Sequence, residues 1–280
     1  MRDITECARI VRRYDRERYL VSLFAQPEMC EDLFTVLAVN HEITKIVDVV
    51  SDPLIGFVRL QWWQESFDAI ELGTPSSYEV VLSLARLAER HPAVLDDLRR
   101  VVNAHEADFS DRLLPDLESL ENYAAMTEGL ITNSMAHILG AQLKNSRELG
   151  TAWSLINLVR TLPVINKRRK FMIPESILDK SGIKASSLID HPFSFNFISL
   201  CKPIIELSRI RLDAALSGSA LMQKSAHVMW LLAARTDDIS RNIESAYYNP
   251  RSFPIAEIPT GLIWRHVMRS VWFCLRSQFQ

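Results

Sequence analysis

Arg160 and the run Lys167-Arg168-Arg169-Lys170 are the side chains of this sequence best placed to hold an anion. Arginine presents a planar fork that matches two phosphate oxygens, so the group can bind a diphosphate without a metal. A basic run lying on the surface is instead simply solvated, and both readings stand at this point. Arg59, next to Trp62 and Trp63, fits a buried polar contact with Glu65 or Asp48, either as a structural ion pair or as part of a ligand site. The tryptophans themselves either line an apolar cavity or pack the core. The seven histidines show no metal-ligand spacing, and His137 fits a satisfied core or surface position better than proton transfer. No nucleotide-binding, zinc-hydrolase or catalytic-triad motif is present.

The elements that must position these groups are helices. Only eight glycines occur, scattered along 280 residues, and apolar residues recur at helical spacing through most of the chain. From Val36 to Val50 one apolar stripe (Val36, Val39, Ile43, Ile46, Val47, Val50) predicts a single helix with Thr44, Lys45 and Asp48 on its other side. Asp52 and Pro53 then start a second helix, as cap and first-turn residue, running to about Gly73. Its polar face carries Gln61, Glu65 and Asp68. Further helices are expected over Ser77–Glu89, Pro92–His105, Leu117–Leu139, Glu148–Leu162, Phe197–Leu216, Ala220–Arg235 and Thr260–Arg276. Pro163 to Pro174 reads as a basic loop, and Asn249 to Pro259, with three prolines, as a mobile connection.

The fold class is therefore all-α, and residues 1–280 are expected to form one domain, with 48% apolar and 24% charged residues. Lys plus Arg is 32 against 34 for Asp plus Glu, and a net charge of −2 gives no field that would gather nucleic acid. Cys7, Cys30, Cys201 and Cys274 are far apart and form no CxxC pair. With no secretory leader apparent, they are expected to be reduced thiols in a cytoplasmic protein. No apolar run of about 18 residues is present to span a bilayer, which leaves peripheral membrane contact open.

Several phrases together resemble the squalene/phytoene synthase family. They are Asp15-Arg16-Glu17-Arg18-Tyr19-Leu20, Leu23-Phe24-Ala25, Leu37-Ala38-Val39-Asn40 and Gly56-Phe57-Val58-Arg59-Leu60-Gln61-Trp62-Trp63. A second stretch, Asn157-Leu158-Val159-Arg160 followed by Phe171-Met172-Ile173-Pro174, is also similar. The likeness covers about residues 7 to 180 and implies one helical bundle around a deep apolar cavity, in which two prenyl diphosphates are joined head to head. In that chemistry two facing DxxxD motifs hold Mg²⁺ against the diphosphates, since the leaving negative charge must be neutralised. Carried over by position, the resemblance implies catalytic roles for Asp48, Arg59 and Arg160. It implies ligand contacts from Tyr19, Thr44, Gln61, Trp62 and Glu65 in the first half of the chain. From the second half it implies Tyr123, Asn133, Asn157, Arg168 and Arg169.

The departures from the family pattern matter more than the matches. The first motif here reads Thr44-Lys45-Ile46-Val47-Asp48, and the second places Thr161 and Ile165 where acids belong. Asp48, even with Glu42 or Asp52, is a poor site for hard cations that prefer several carboxylate oxygens. This acid-poor pattern is similar to a branch of the family that includes a mitochondrial respiratory complex I assembly factor. It implies a non-synthase without cofactor that binds an isoprenoid-like lipid or a partner protein. The alternative is an active, Mg²⁺-dependent prenyltransferase that condenses two farnesyl or geranylgeranyl diphosphates.

Overall fold

A computed structural model describes residues 4–110, 112–141, 145–162, 172–184, 197–217 and 227–248. Thr5 caps α1 (Glu6–Tyr14) by accepting the Ala8 amide at 3.2 Å. Asp15 then ends α1 and caps α2 (Arg16–Ser22), accepting the Arg18 amide at 3.2 Å. One carboxylate thus sets the bend between two helices, because its oxygen replaces the carbonyl that the first amides of α2 lack. Next comes α3 (Pro27–Thr44), whose residues from Asp32 to Asn40 are all buried. Apolar residues on all its faces make it a central helix.

The single helix expected over Val36–Val50 is two. α3 stops at Thr44, and a short α4 (Ile46–Val49) follows after Lys45. The Thr44 hydroxyl donates to the His41 carbonyl at 3.2 Å, the acceptor that the Lys45 amide also uses at 2.9 Å, so side chain and backbone compete for one oxygen there. α5 (Pro53–Glu71) starts as its sequence predicts, with Asp52 accepting the Leu54 amide at 2.9 Å and Pro53 in the first turn. α6 (Glu79–Arg90) and α7 (Ala93–Ala104) follow, and a 3₁₀ turn (His105–Phe109) extends α7.

The helix expected over Leu117–Leu139 is also broken, into α8 (Leu117–Met126) and α9 (Glu128–Ile138). The break is Thr127, with φ −106° and ψ −96°, whose hydroxyl donates to the Tyr123 carbonyl at 2.8 Å. α10 (Ser146–Thr161) packs against α9 and against α12 (Phe197–Leu216), with α11 (Glu175–Ser181) between them in sequence. A Cβ on Gly150 would collide with the Glu128 carbonyl and the Thr132 hydroxyl, so the close approach of α10 to α9 needs glycine there. α13 (His227–Ser245) runs past the Arg235 end expected for it. Its later half looks polar in sequence, but Thr236, Ile239, Ser240 and Ile243 are buried, and the Thr236 hydroxyl is satisfied by the Leu232 carbonyl at 2.8 Å.

The Lys167–Lys170 run, the start expected at Ala220, the Asn249–Pro259 connection and the Thr260–Arg276 helix lie outside the described residues. Among the described residues no helix is long and apolar enough to cross a membrane.

Candidate functional site

Three interruptions in the helices meet at one place. Asp15 between α1 and α2, Thr44 at the end of α3 and Thr127 between α8 and α9 all line a cavity of about 280 Å³. α10 forms a further wall with Trp153, Asn157 and Arg160, and the 3₁₀ turn adds His105 and Asp108. Val47, Leu120, Leu155, Leu158 and Met172 make the rest of the lining largely apolar. Non-helical backbone at each break lets polar side chains turn inward, where a continuous helix would present its stripe to a neighbour.

Arg18 occupies the centre of the polar wall and is buried. Its guanidinium pairs with the carboxylates of Asp15 and Glu128, and its Nη2 reaches the second Glu128 oxygen at 3.3 Å. Asn40 Nδ2 donates to Glu128 Oε1 at 2.9 Å. Burial alone would favour the neutral guanidine, but the two carboxylates more than offset it and raise the Arg18 pKa above its ordinary value. Behind this pair a second network joins three helices. Glu17 of α2 accepts from Arg160 Nη1 of α10 at 2.7 Å and from Arg235 Nη2 of α13 at 2.6 Å. Burial pushes the Glu17 carboxyl up, and the two arginines overcome that and hold it below its usual value. Trp153 lies between the networks, with the Arg18 and Arg160 guanidinium carbons 5.9 and 6.0 Å from its ring centroid.

Across the cavity, the Tyr123 hydroxyl donates to Asp108 Oδ1 at 2.6 Å, and His105 Nδ1 lies 2.8 Å from Asp108 Oδ2. With both carboxylate oxygens accepting, the His105 ring turns a protonated Nδ1 to Asp108 and its Nε2 edge away from it. Three buried atoms of the lining residues have no partner among the described residues: His105 Nε2, Asn157 Oδ1 and Arg160 Nε.

Of the residues singled out in the sequence, Thr44, Tyr123, Asn157 and Arg160 come together on this cavity. Others do not. Asp48 is exposed on α4, outside the lining. Arg59 is exposed rather than buried, because the inward face of α5 is taken by Gly56, Leu60, Trp63 and Phe67. It borders a groove with Glu42, Lys45 and Trp62. Gln61 donates to Glu65 at 3.3 Å on the outer surface of α5. Tyr19 stacks on Phe34, with centroids 4.9 Å apart. Asn133 donates to Asp97 at 2.8 Å and accepts from Ser146 at 2.8 Å, bridging α7, α9 and α10. His137 is exposed. Arg168 and Arg169 lie outside the described residues. Of the tryptophans, Trp63 packs in the core and Trp153 forms cavity wall.

A model of the squalene/phytoene synthase family matches residues 11–256. The chain belongs to that family. The human NADH dehydrogenase (ubiquinone) complex I assembly factor 6 is 24% identical over 242 residues, covering 85% of this chain and 73% of its own. A dehydrosqualene synthase solved in complex with a ligand superposes with a TM-score of 0.80 at 12% identity, over 97% of this chain and 95% of that one. Squalene synthase HpnC from Alicyclobacillus acidocaldarius gives 0.65 at 15% identity, over 87% and 94%. These likenesses confirm the all-helical synthase fold.

Within that family fold, the described carboxylates of the cavity wall are already engaged by side chains of the same chain. Among the described residues no group of three or more His, Cys, Asp or Glu side chains could hold a metal ion. Asp15 and Glu128 are engaged by Arg18, and Asp108 by Tyr123 and His105. Sequence reasoning missed Arg18, Glu128, Trp153, His105 and Asp108 as site residues. The phrase that holds Arg18 was visible as family likeness, but no local pattern distinguished an inward arginine from its exposed neighbours Arg12, Arg13 and Arg16.

Proposed function

We propose that this chain is a non-synthase member of the squalene/phytoene synthase family that acts in the assembly of respiratory complex I and uses its cavity to hold an isoprenoid-like ligand. One observation carries this reading. Both arginines on the cavity wall are already tied to carboxylates of the same chain, Arg18 to Asp15 and Glu128 and Arg160 to Glu17. A diphosphate needs a surplus of positive charge. Among the described residues the carboxylates of Asp15, Glu17, Asp108 and Glu128 outnumber the guanidiniums of Arg18, Arg160 and Arg235, and each is already paired, which leaves neither a spare cation for a phosphate nor a spare carboxylate for Mg²⁺. The likeness to complex I assembly factor 6 supports the same reading. Retention of a ligand is supported by the apolar lining and by the unpartnered buried atoms of His105, Asn157 and Arg160, since buried polar groups are rarely left unsatisfied.

The test is to incubate the purified protein with farnesyl and geranylgeranyl diphosphates, with Mg²⁺ or with chelator, and to analyse both products and protein-bound lipid. The expected result is no hydrocarbon product. A Mg²⁺-dependent C30 or C40 hydrocarbon, lost in Arg160→Ala, would establish the prenyltransferase instead. In cells that depend on the gene, its deletion should lower the amount of assembled complex I without changing prenyl products.

A further inference from the structure

α5 carries apolar residues on its inward face and, among the polar Arg59, Gln61 and Glu65, also on its outward one. Gly56, Leu60, Trp63 and Phe67 are buried against the bundle. Leu54, Val58 and Trp62, at i, i+4 and i+8, form a stripe along the opposite side, with exposures of 71%, 68% and 40%. Ile55 and Phe57 are exposed beside them. A contiguous apolar patch on a surface marks a contact site.

The patch is shaped as well as apolar. Trp62 is a ridge between two depressions, one of about 520 Å³ between α5 and α7 and one of about 330 Å³ toward Lys45 and Tyr78. The apolar lining of the larger groove is Phe57, Val58, Leu60, Trp62 and Val102, and across it Gln64 donates to Asn103 at 2.7 Å. Its charged lining residues are Glu65 and Glu106, both exposed, with no basic residue among them.

We infer that this face of α5 is the docking site for an amphipathic helix of a partner protein, with apolar residues in the groove and lysines or arginines along its flanks. A groove beside a ridge fits a helix laid into it, which is a recurrent mode of peptide recognition. The smaller depression carries Lys45 and Arg59 beside Glu42, so the helix is assigned to the larger groove, where the two glutamates favour a basic occupant and oppose an anionic membrane surface. A second copy of the chain would bring the same acids to the contact, where like charges repel. The inference goes beyond the function proposed above and does not depend on what the cavity holds.

The test uses the full chain and two fluorescent helical peptides of about 18 residues with one leucine stripe, flanked by lysines in one and by glutamates in the other. Fluorescence anisotropy should show binding of the lysine peptide, weakening as salt rises, with the glutamate peptide at least about tenfold weaker. Val58→Asp should abolish binding, and Glu65→Lys combined with Glu106→Lys should reverse the preference. All three positions are exposed, so the melting temperature should stay at the wild-type value and certify the fold of each variant. No binding of either peptide, equal binding of both, or indifference to Val58→Asp would overturn the inference. So would binding to phosphatidylcholine/phosphatidylserine vesicles, or a dimer in sedimentation, that Val58→Asp removes. A prenyl product in the earlier assay would sink the non-synthase reading and leave the peptide result standing, so the two failures are distinguishable.

Discussion

Arg18 donates to both carboxylate oxygens of Glu128, a residue 110 positions later in the chain, with Arg18 buried and Glu128 half-buried at the polar wall of the cavity. It joins the α1–α2 bend to the α8–α9 break, so the shape of the cavity and the stability of the bundle depend on the same contact.

Removing one partner of such a pair leaves the other charge buried and uncompensated, a change that costs about 3–5 kcal/mol. Arg18→Leu, which strands both Asp15 and Glu128, should lower stability by about that amount, and Glu128→Gln, which leaves Arg18 paired with Asp15, by less. The double variant should cost less than the sum of the two, because only Asp15 is then left without its guanidinium. Urea unfolding of the three variants checks this, and simple additivity would show that the residues are not coupled.

The Glu17 network should give stability a defined pH dependence. Because Arg160 and Arg235 hold the Glu17 carboxyl below its ordinary value of 4.5, the folded state keeps the ionised form more strongly than the unfolded chain does. The contribution is therefore complete above about pH 5 and is lost as pH falls through the lower folded value. Melting temperatures of wild type and Glu17→Gln should differ by a constant amount at neutral pH and converge on acidification. A difference that stays constant down to pH 3 would exclude this linkage.

Gly150 sets the spacing between α10 and α9. An alanine methyl there would press on the Glu128 carbonyl and on Thr132, so Gly150→Ala should destabilise by about 1–3 kcal/mol despite the better helix propensity of alanine. The shift should also disturb the Arg18–Glu128 pair, visible as faster hydrogen exchange across Glu128–Ile138. Exchange and melting temperature equal to wild type would mean that the helices separate at no cost.

Tyr123→Phe deletes the hydroxyl that donates to Asp108 and leaves one carboxylate oxygen with less support in a buried setting. The expected loss is about 1–3 kcal/mol. Asp108→Asn in the same background should recover part of it, because a neutral amide needs less compensation than a charge. Thermal unfolding of the single and double variants reads this directly, and a further loss in the double variant would contradict it.

Much of the architecture was legible without coordinates, because helical periodicity is recorded within a few residues of each position. The start of α5 at Asp52-Pro53 and the run of α12 from Phe197 to Leu216 follow from such local signals. So does the likeness of the short phrases around Asp15 and Arg59 to a synthase family, and the loss of the acids at Thr44 and Thr161. The tertiary structure decided where helices stop and which charges face inward. The breaks after Thr44 and at Thr127 interrupt patterns that look continuous, and at both a threonine hydroxyl bonds to a backbone carbonyl that the apolar stripe does not reveal. Arg18 and Arg16 differ by two positions in sequence, yet only Arg18 is buried, and its partner Glu128 is supplied by a distant segment. An ion pair depends on where remote helices meet, and a residue's own charge is the same whether water or a carboxylate neutralises it. Sequence therefore determined the kind of bundle this is, while packing alone turned scattered acids, arginines and a histidine into a cavity whose charges are paired with one another.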